Sequence, residues 1–405
     1  MRSKSLGEIS SFITKGATPT TYGYSWEAYG VPFLRSECVS DHGLDLRQSM
    51  FISKEADNAL RRSRVQDGDI LMTITGNVGR VVRLHGVGTA NINQHIARIR
   101  VTDRNFDPRF VYHYLSQRTM REYYESIVTG QAYPQISLVQ VRSTAVPDIP
   151  DTEQQRIADT LDDADDWIAT LEGLIAKKQA VKQGMMQELL TGRERLPGFS
   201  DGWSPIRLGA MGSFLKGRGI KRDDVRPAGV PCIRYGEIYT IFGDYTDRAQ
   251  SFVSSAIAAK ALPIRKGDVL FAGSGETKAE IGMSLAYVGD RDAVAGGDII
   301  VLRGVGFNPV FLASILNTPA LAAQKARRGQ GDAVVHINST ALGDLELCLP
   351  RRDEQNAIAA VIWDVDRELC ALDERLAKAR ATKQGMMQQL LTDRAYLPVA
   401  EELVA

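Results

Sequence analysis

Lys182-Gln-Gly-Met-Met-Gln-Glu-Leu-Leu-Thr-Gly-Arg-Glu-Arg-Leu-Pro197 returns 201 residues later as Lys383-Gln-Gly-Met-Met-Gln-Gln-Leu-Leu-Thr-Asp-Arg-Ala-Tyr-Leu-Pro398, with 12 of 16 positions identical. Repetition at a fixed offset marks a chain built from duplicated units. Working outward at the same offset, Glu153-Gln154 matches Glu354-Gln355, and Ile157-Ala158 matches Ile358-Ala359. Fainter echoes join Phe106-Asp-Pro-Arg-Phe110 to Phe307-Asn-Pro-Val-Phe311, and Gly68-Asp-Ile-Leu71 to Gly267-Asp-Val-Leu270. Leu6-Gly7 answers Leu208-Gly209, and Val31-Pro32 with Arg35 answers Val230-Pro231 with Arg234. The expected organisation is a variable region at 1–147, a helical spacer at 148–201, a second variable region at 202–348 and a second spacer at 349–405.

The spacers carry a heptad pattern. Ile157, Leu161, Ala164, Ile168, Leu171, Ile175, Lys178, Lys182, Met185 and Leu189 step alternately by four and three. So do Ile358, Ile362, Val365, Leu369, Leu372, Leu376, Ala379, Lys383, Met386 and Leu390. A sustained 3.5-residue repeat predicts a coiled coil, and lysines interrupting both seams at similar places would set its register. The other reading is two separate amphipathic helices, each packed on its own domain. Shared phase, length and interruption points favour mutual pairing, most simply as an antiparallel intramolecular coiled coil. Residues 153–190 would span roughly 57 Å as helix, placing the two globular units at opposite ends of a ruler. Asp151-Thr152 is a plausible cap and Gly192 a plausible stop.

The variable regions read as short β-prone runs, such as 69–75 and 298–303, broken by Gly, Pro, Asn and Asp. One or two helices are expected within each, for example at 108–117 and 309–316. The fold class is therefore mixed α/β (α+β) globular domains joined to two long helices, with a pseudo-twofold repeat.

With 44% hydrophobic and 24% charged residues, the chain can bury sizeable cores and is not a disordered tail. Cys38, Cys232, Cys348 and Cys370 lie too far apart in sequence for a CxxC metal or redox motif. The first 25 residues lack an apolar signal core. No stretch nears the roughly 18 apolar residues of a membrane helix, so the expected location is the cytoplasm. The net charge of zero hides a partition. Residues 1–147 carry +5 and 202–348 carry +3, against −6 for 148–201 and −2 for 349–405. Such excesses permit a basic face on each globular unit, where duplex DNA could dock through its phosphates.

Together these features resemble the specificity subunit of type I restriction-modification enzymes. The carriers are Gly130-Gln131-Ala-Tyr-Pro-Gln-Ile136-Ser137, Val146-Pro-Asp-Ile-Pro150 followed by Glu153-Gln154-Gln155 and Ile157, Gly202-Trp203 with Leu208-Gly209, and the two Gln-Gly-Met-Met-Gln blocks. Their order and twofold arrangement are more specific than any one string. The resemblance implies two target-recognition domains, each reading half of a bipartite DNA site, held apart by paired helices. It further implies a subunit with no chemistry and no cofactor of its own. Two methylating subunits would use S-adenosylmethionine, and restriction subunits, where present, ATP and Mg. Gly331-Asp-Ala-Val-Val-His336-Ile337 departs from the family's Gln-Pro-Ile pattern. The stretches near Leu6-Gly7 and Leu397-Pro398 look like halves of the join seen intact at 196–209, and are expected to lie close together.

The sequence carries strings that only partly resemble catalytic motifs. Phe106-Asp-Pro-Arg-Phe110 and Phe307-Asn-Pro-Val-Phe311 lack the second proline of an adenine-gripping loop, and suit a helix start instead. There is no Gly-x-x-x-x-Gly-Lys-Ser/Thr loop, and Gly217-Arg-Gly219 is too short for a dinucleotide fingerprint. Gly273-Ser-Gly275 reads as a turn rather than a nucleophile, and the five histidines lack metal-ligand spacing.

Base reading requires Arg or Lys for guanine, Asn or Gln for adenine, and Asp or Glu for cytosine. Candidates in the first variable region are Lys15, Thr18, Thr20, Tyr22, Arg35, Ser36, Thr75, Asn77, Arg80, Asn93, Gln94, His95, Gln131 and Tyr133. In the second they are Lys216, Arg218, Lys221, Arg222, Arg234, Tyr235, Ser274, Glu276, Thr277, Lys278, Asp298, Arg327, Arg328 and Gln330. Matched positions suggest a phosphate or scaffold role for Arg35 and Arg234, and the Arg327-Arg328 pair suggests a backbone clamp. Met185, Met186, Met386 and Met387 are candidates for partner contact, or for completing the helical core. The rival function is a coiled-coil scaffold whose heads bind protein or glycan; basic heads and the resemblance weigh against it.

Overall fold

Every side chain of strand Ile70–Thr73 is buried, and so is every side chain of Val269–Ala272. Such strands sit between two apolar layers and read as continuous hydrophobic runs rather than alternating ones. A computed structural model describes residues 2–41, 43–130, 133–331 and 334–391. It divides into two compact units, one of residues up to 173 with those from 374 on, the other of residues 174–373. Each unit therefore takes part of both spacers.

In the first unit, Ser10–Lys15, Ile96–Val101, Ile70–Thr73 and Val81–Arg83 form an antiparallel sheet in that order. A second sheet runs Met50–Ile52, Val31–Leu34, Thr89–Ile92, Arg64–Gln66, with its central pair parallel. Period-2 alternation sends Ile70 and Met72 to a core with Phe110, Tyr124 and Leu161, while Leu71 joins Leu34, Val65 and Ile92. A short pairing of Ser3–Ser5 with Ala145–Pro147 closes the domain before the spacer begins.

The second unit has a five-stranded sheet ordered Gly212–Lys216, Ile299–Gly304, Val269–Ala272, Ser284–Tyr287, Tyr245–Thr246. Its other sheet runs Ser251–Val253, Val230–Ile233, Ala293–Ala295, Leu262–Ile264, again with a parallel central pair. Val269 and Phe271 face the core that holds Phe311 and Ile358, whereas Leu270 and Ala272 face Ile233 and Leu285. Ser204–Arg207 pairs with Glu346–Leu349.

The faint sequence echoes have structural causes. Gly68 and Gly267 turn with φ of 91° and 96°, which favours glycine. The aspartate after each is buried and forked by an arginine: Asp69 with Arg100 at 2.6 Å, and Asp268 with Arg303 at 2.6 and 2.9 Å. Asp107 and Asn308 cap the helices Pro108–Leu115 and Pro309–Leu316, each with proline in its first turn. The repeated Gln154 and Gln355 are buried there as tethers. Their Oε1 atoms accept from Asp107 N–H at 3.0 Å and Asn308 N–H at 2.9 Å, and their Nε2 groups donate to Ile149 O and Pro350 O. Helices Arg118–Ser126 and Pro319–Arg328 follow, where the sequence reading placed none.

Spacer helices run Asp151–Leu189 and Arg352–Leu391. The first already includes Asp151, so Asp151 and Glu153 sit in its first turn rather than before it, where the helix dipole favours carboxylates. Gly192 follows the last turn with φ 67° and donates to Leu189 O. All ten seam positions on each helix are buried or half-buried. In the first unit Lys383 pairs with Asp165, and Arg380 with Glu172 at 2.6 Å; in the second Lys178 pairs with Glu368 and Lys182 with Asp366. Partner numbers fall as helix numbers rise, so within each unit the helical segments run antiparallel. Met386 and Met387 pack half-buried on the first unit's core, Met185 and Met186 on the second's. The expected closeness of the two chain ends involves Leu397 and Pro398, which lie outside the described residues. No helix among the described residues is long and apolar enough to cross a membrane.

Candidate nucleic-acid interface

Sheet register brings three loops to one end of each main sheet. In the first unit Ala97 pairs with Lys15, and Ile96 with Thr73. The chain leaving Lys15, the chain entering Ile96 and the chain leaving Thr73 must therefore meet. Gly16 makes this possible: a Cβ there would stand 1.8 Å from Ile92 O, and its N–H donates to Asn93 O at 3.0 Å. Thr18 Oγ1 donates to Gln94 Oε1 at 2.6 Å, and Gln94 Nε2 lies 3.1 Å from His95 Nε2. Asn93 is buried, its Oδ1 accepting from His95 N–H. Thr75 bridges Gln135, and Gly76 N–H donates to Pro134 O, which brings exposed Tyr133 into the cluster. Lys15, Thr20, Tyr22 and Asn77 are exposed around it. Gln131 lies outside the described residues.

Two arginines are drawn toward the scaffold. Arg35 Nη2 reaches Gln48 O at 3.3 Å, beside a half-buried Ser36, and Arg80 Nη2 pairs with Asp41 at 3.0 Å. Asp41 also pairs with Arg121, a residue that nothing in the local sequence had singled out.

In the second unit Lys216 pairs with Ile300, and Gly217 repeats the role of Gly16: its Cβ would stand 2.0 Å from Gly296 O. Ser274–Gly275 proves to be a short strand pairing with Val335–His336, and Ser274 Oγ lies 2.8 Å from His336 Nδ1. Gly273 N–H donates to Asp298 O at 2.7 Å, and Gln330 bridges His336. These contacts surround a cavity of about 420 Å³ whose lining includes Lys216, Asp298, Gln330, His336, Asn338 and Ser339. The last three were not candidates. Of these only His336 lies within the stretch 331–337 that departs from the family pattern; Asn338 and Ser339 follow it.

Other second-unit candidates scatter. Arg218, Lys221 and Arg222 are exposed on the loop after Gly217, and Glu276, Thr277 and Lys278 on the loop after Gly275. Arg234 forks onto buried Glu237, and Tyr235 opens the next helix. Arg328 donates to Gln324 O and Asp344 O, while Arg327 is exposed, so the two differ in their contacts within the chain. Tyr239 donates to Ser274 O, and burial raises its phenol above the usual range.

Residues 1–182 match the model of the family described as type I restriction modification DNA specificity domain. The EcoBI specificity subunit of Escherichia coli is 30% identical over 126 residues, a stretch covering 31% of this chain and 26% of that protein. The MjaVIII specificity subunit of Methanocaldococcus jannaschii is 20% identical over 404 residues, covering 96% of this chain and 91% of that one. Among solved structures, the type I restriction-modification S subunit from M. genitalium has TM-score 0.61 at 14% identity, covering 97% of this chain and 96% of that one. A chain from a type I R-M system solved for its complex assembly and conformational transition has TM-score 0.59 at 18% identity, covering 98% of each. At these identities the structural likeness is one of fold. With the family's model matched through the first variable region and most of the first spacer, and specificity subunits aligned along nearly the whole length, the chain is similar to the specificity subunits of type I restriction-modification systems.

Proposed function

We propose that this chain is the non-catalytic, sequence-reading subunit of a DNA-modifying assembly, and that each globular unit binds one half of a bipartite duplex site. The observation that carries this is the convergence of exposed polar residues, from separate segments, at one end of the main sheet in each unit. Loops held on rigid strand ends suit base readout, because the scaffold fixes side-chain direction. The matching strand orders support a duplicated fold. The buried seam positions and antiparallel ion pairs support a coiled coil that sets the spacing between half-sites.

In this proposal the spacer helices and their acidic surface recruit two methylating subunits that use S-adenosylmethionine, and restriction subunits using ATP and Mg where the system has them. The test is titration of the full chain with its methyl-transferring partner onto random duplex at low and high salt, followed by selection from a randomised library. Salt-sensitive binding and a bipartite consensus are expected. Salt-insensitive or absent binding would favour a protein-binding scaffold instead.

A further inference from the structure

We propose that Lys216 and Asp298 together read one G·C base pair of the second half-site, Lys216 donating to guanine and Asp298 accepting from the cytosine amino group. This rests on the DNA-reading function proposed above and assigns one position within it. Both residues line the same cavity, at the end of the pairing between Gly212–Lys216 and Ile299–Gly304. Both are exposed, and no ion pair joins them or engages either one among the described residues. Opposite charges held in one cavity without neutralising each other present a donor and an acceptor to a ligand that supplies both in reverse.

A phosphate is a poor fit, because the carboxylate would repel it. The major-groove edge of a G·C pair offers guanine O6 and N7 as acceptors beside the cytosine N4 donor, which matches the two groups in sign and kind. Phe214, Ile299 and Ile337 supply apolar wall, while Gln330, His336, Asn338 and Ser339 line the same cavity with uncharged or titratable polar groups.

The backbone holds the pair rigidly. Asp298 is the non-glycine residue with positive φ, 58°, among the described residues, a conformation disfavoured by its Cβ. It is kept there by Gly273 N–H donating to its carbonyl at 2.7 Å, while Gly217 N–H donates to Ile299 O at 2.8 Å on the Lys216 side. A non-glycine residue held at positive φ on a cavity rim is a starting point for a functional hypothesis. By strand register Lys216 matches Lys15, and Asp298 matches His95, whose neighbour Gln94 is bound to Thr18. A shared lysine beside a different partner is what two units reading different bases require.

The experiment selects duplexes from a randomised library with the full chain and its methyl-transferring partner, comparing wild type with Lys216→Met and Asp298→Asn. Asparagine tolerates positive φ and preserves size, and both positions are exposed, so melting temperature should not change. Each variant is expected to lower G·C discrimination at a single position about tenfold, leaving the rest of the consensus intact. A wild-type bipartite consensus that both variants retain base for base, or a uniform loss of affinity for all sequences, would overturn the assignment alone. A wild type that selects no bipartite consensus would overturn the DNA-reading function itself, and this assignment with it.

Discussion

Lys325 is buried on helix Pro319–Arg328, with Nζ donating to Gly282 O at 2.7 Å. Burial pushes its pKa down to about 7 from the ordinary 10.5. Below about 7 both folded and unfolded chains carry the charge, and the cost of burying it is fully present. Between that value and 10.5 the folded chain sheds the proton while the unfolded chain keeps it, so this group's contribution to stability rises with pH. Urea unfolding from about pH 6 to about pH 9 should show wild type gaining on Lys325→Met as pH rises; a flat difference would mean an ordinary lysine. Arg327 on the same helix is exposed and unengaged by its own chain among the described contacts, unlike Arg328. Arg327→Ala should weaken binding to every duplex and reduce the salt slope by about one unit. A loss confined to the cognate site would make it a base reader.

Elements are joined by the repeated glutamines and lysines. Gln154 and Gln355 each satisfy a backbone N–H at a short-helix cap and one carbonyl preceding a long helix, and Gln154 also donates to Asn105 O before the short helix. Gln154→Ala or Gln355→Ala leaves those groups buried and unpaired, and should cost about 1–3 kcal/mol in denaturant unfolding. Lys182 to Asp366 and Lys383 to Asp165 are the same contact at the 201-residue offset, once in each unit. Lys182→Asp should lower stability by about 1 kcal/mol through like-charge contact, and adding Asp366→Lys should restore it. Failure of the double variant to recover would show that the pair does not set helix register.

At the scale of the whole molecule, the proposed ruler makes a geometric prediction. Seven residues added to each long helix keep the heptad phase and lengthen it by roughly 10 Å, about three base pairs of duplex. Methylated sites should keep both half-sites while the gap between them grows by that amount. An unchanged gap would separate half-site spacing from helix length.

Repeat, heptads and turn signals are local or periodic, and the sequence alone determined them: the 201-residue duplication, the two long helices and the seam whose positions are all buried or half-buried. Phe106-Asp-Pro and Phe307-Asn-Pro were legible as helix starts because an N-cap and a proline act within one turn. A second helix in each variable region was allowed by the sequence but not placed, because turns only two residues long separate Arg118–Ser126 and Pro319–Arg328 from the helices before. Only the tertiary structure decided which polar residues share a site. Lys216, Asp298 and His336 are distant in the chain and meet through strand register and the approach of glycine backbones, which no local pattern encodes. The same reason separates Arg327 from Arg328, adjacent in sequence yet turned by helix geometry so that Arg328 binds backbone carbonyls while Arg327 is exposed.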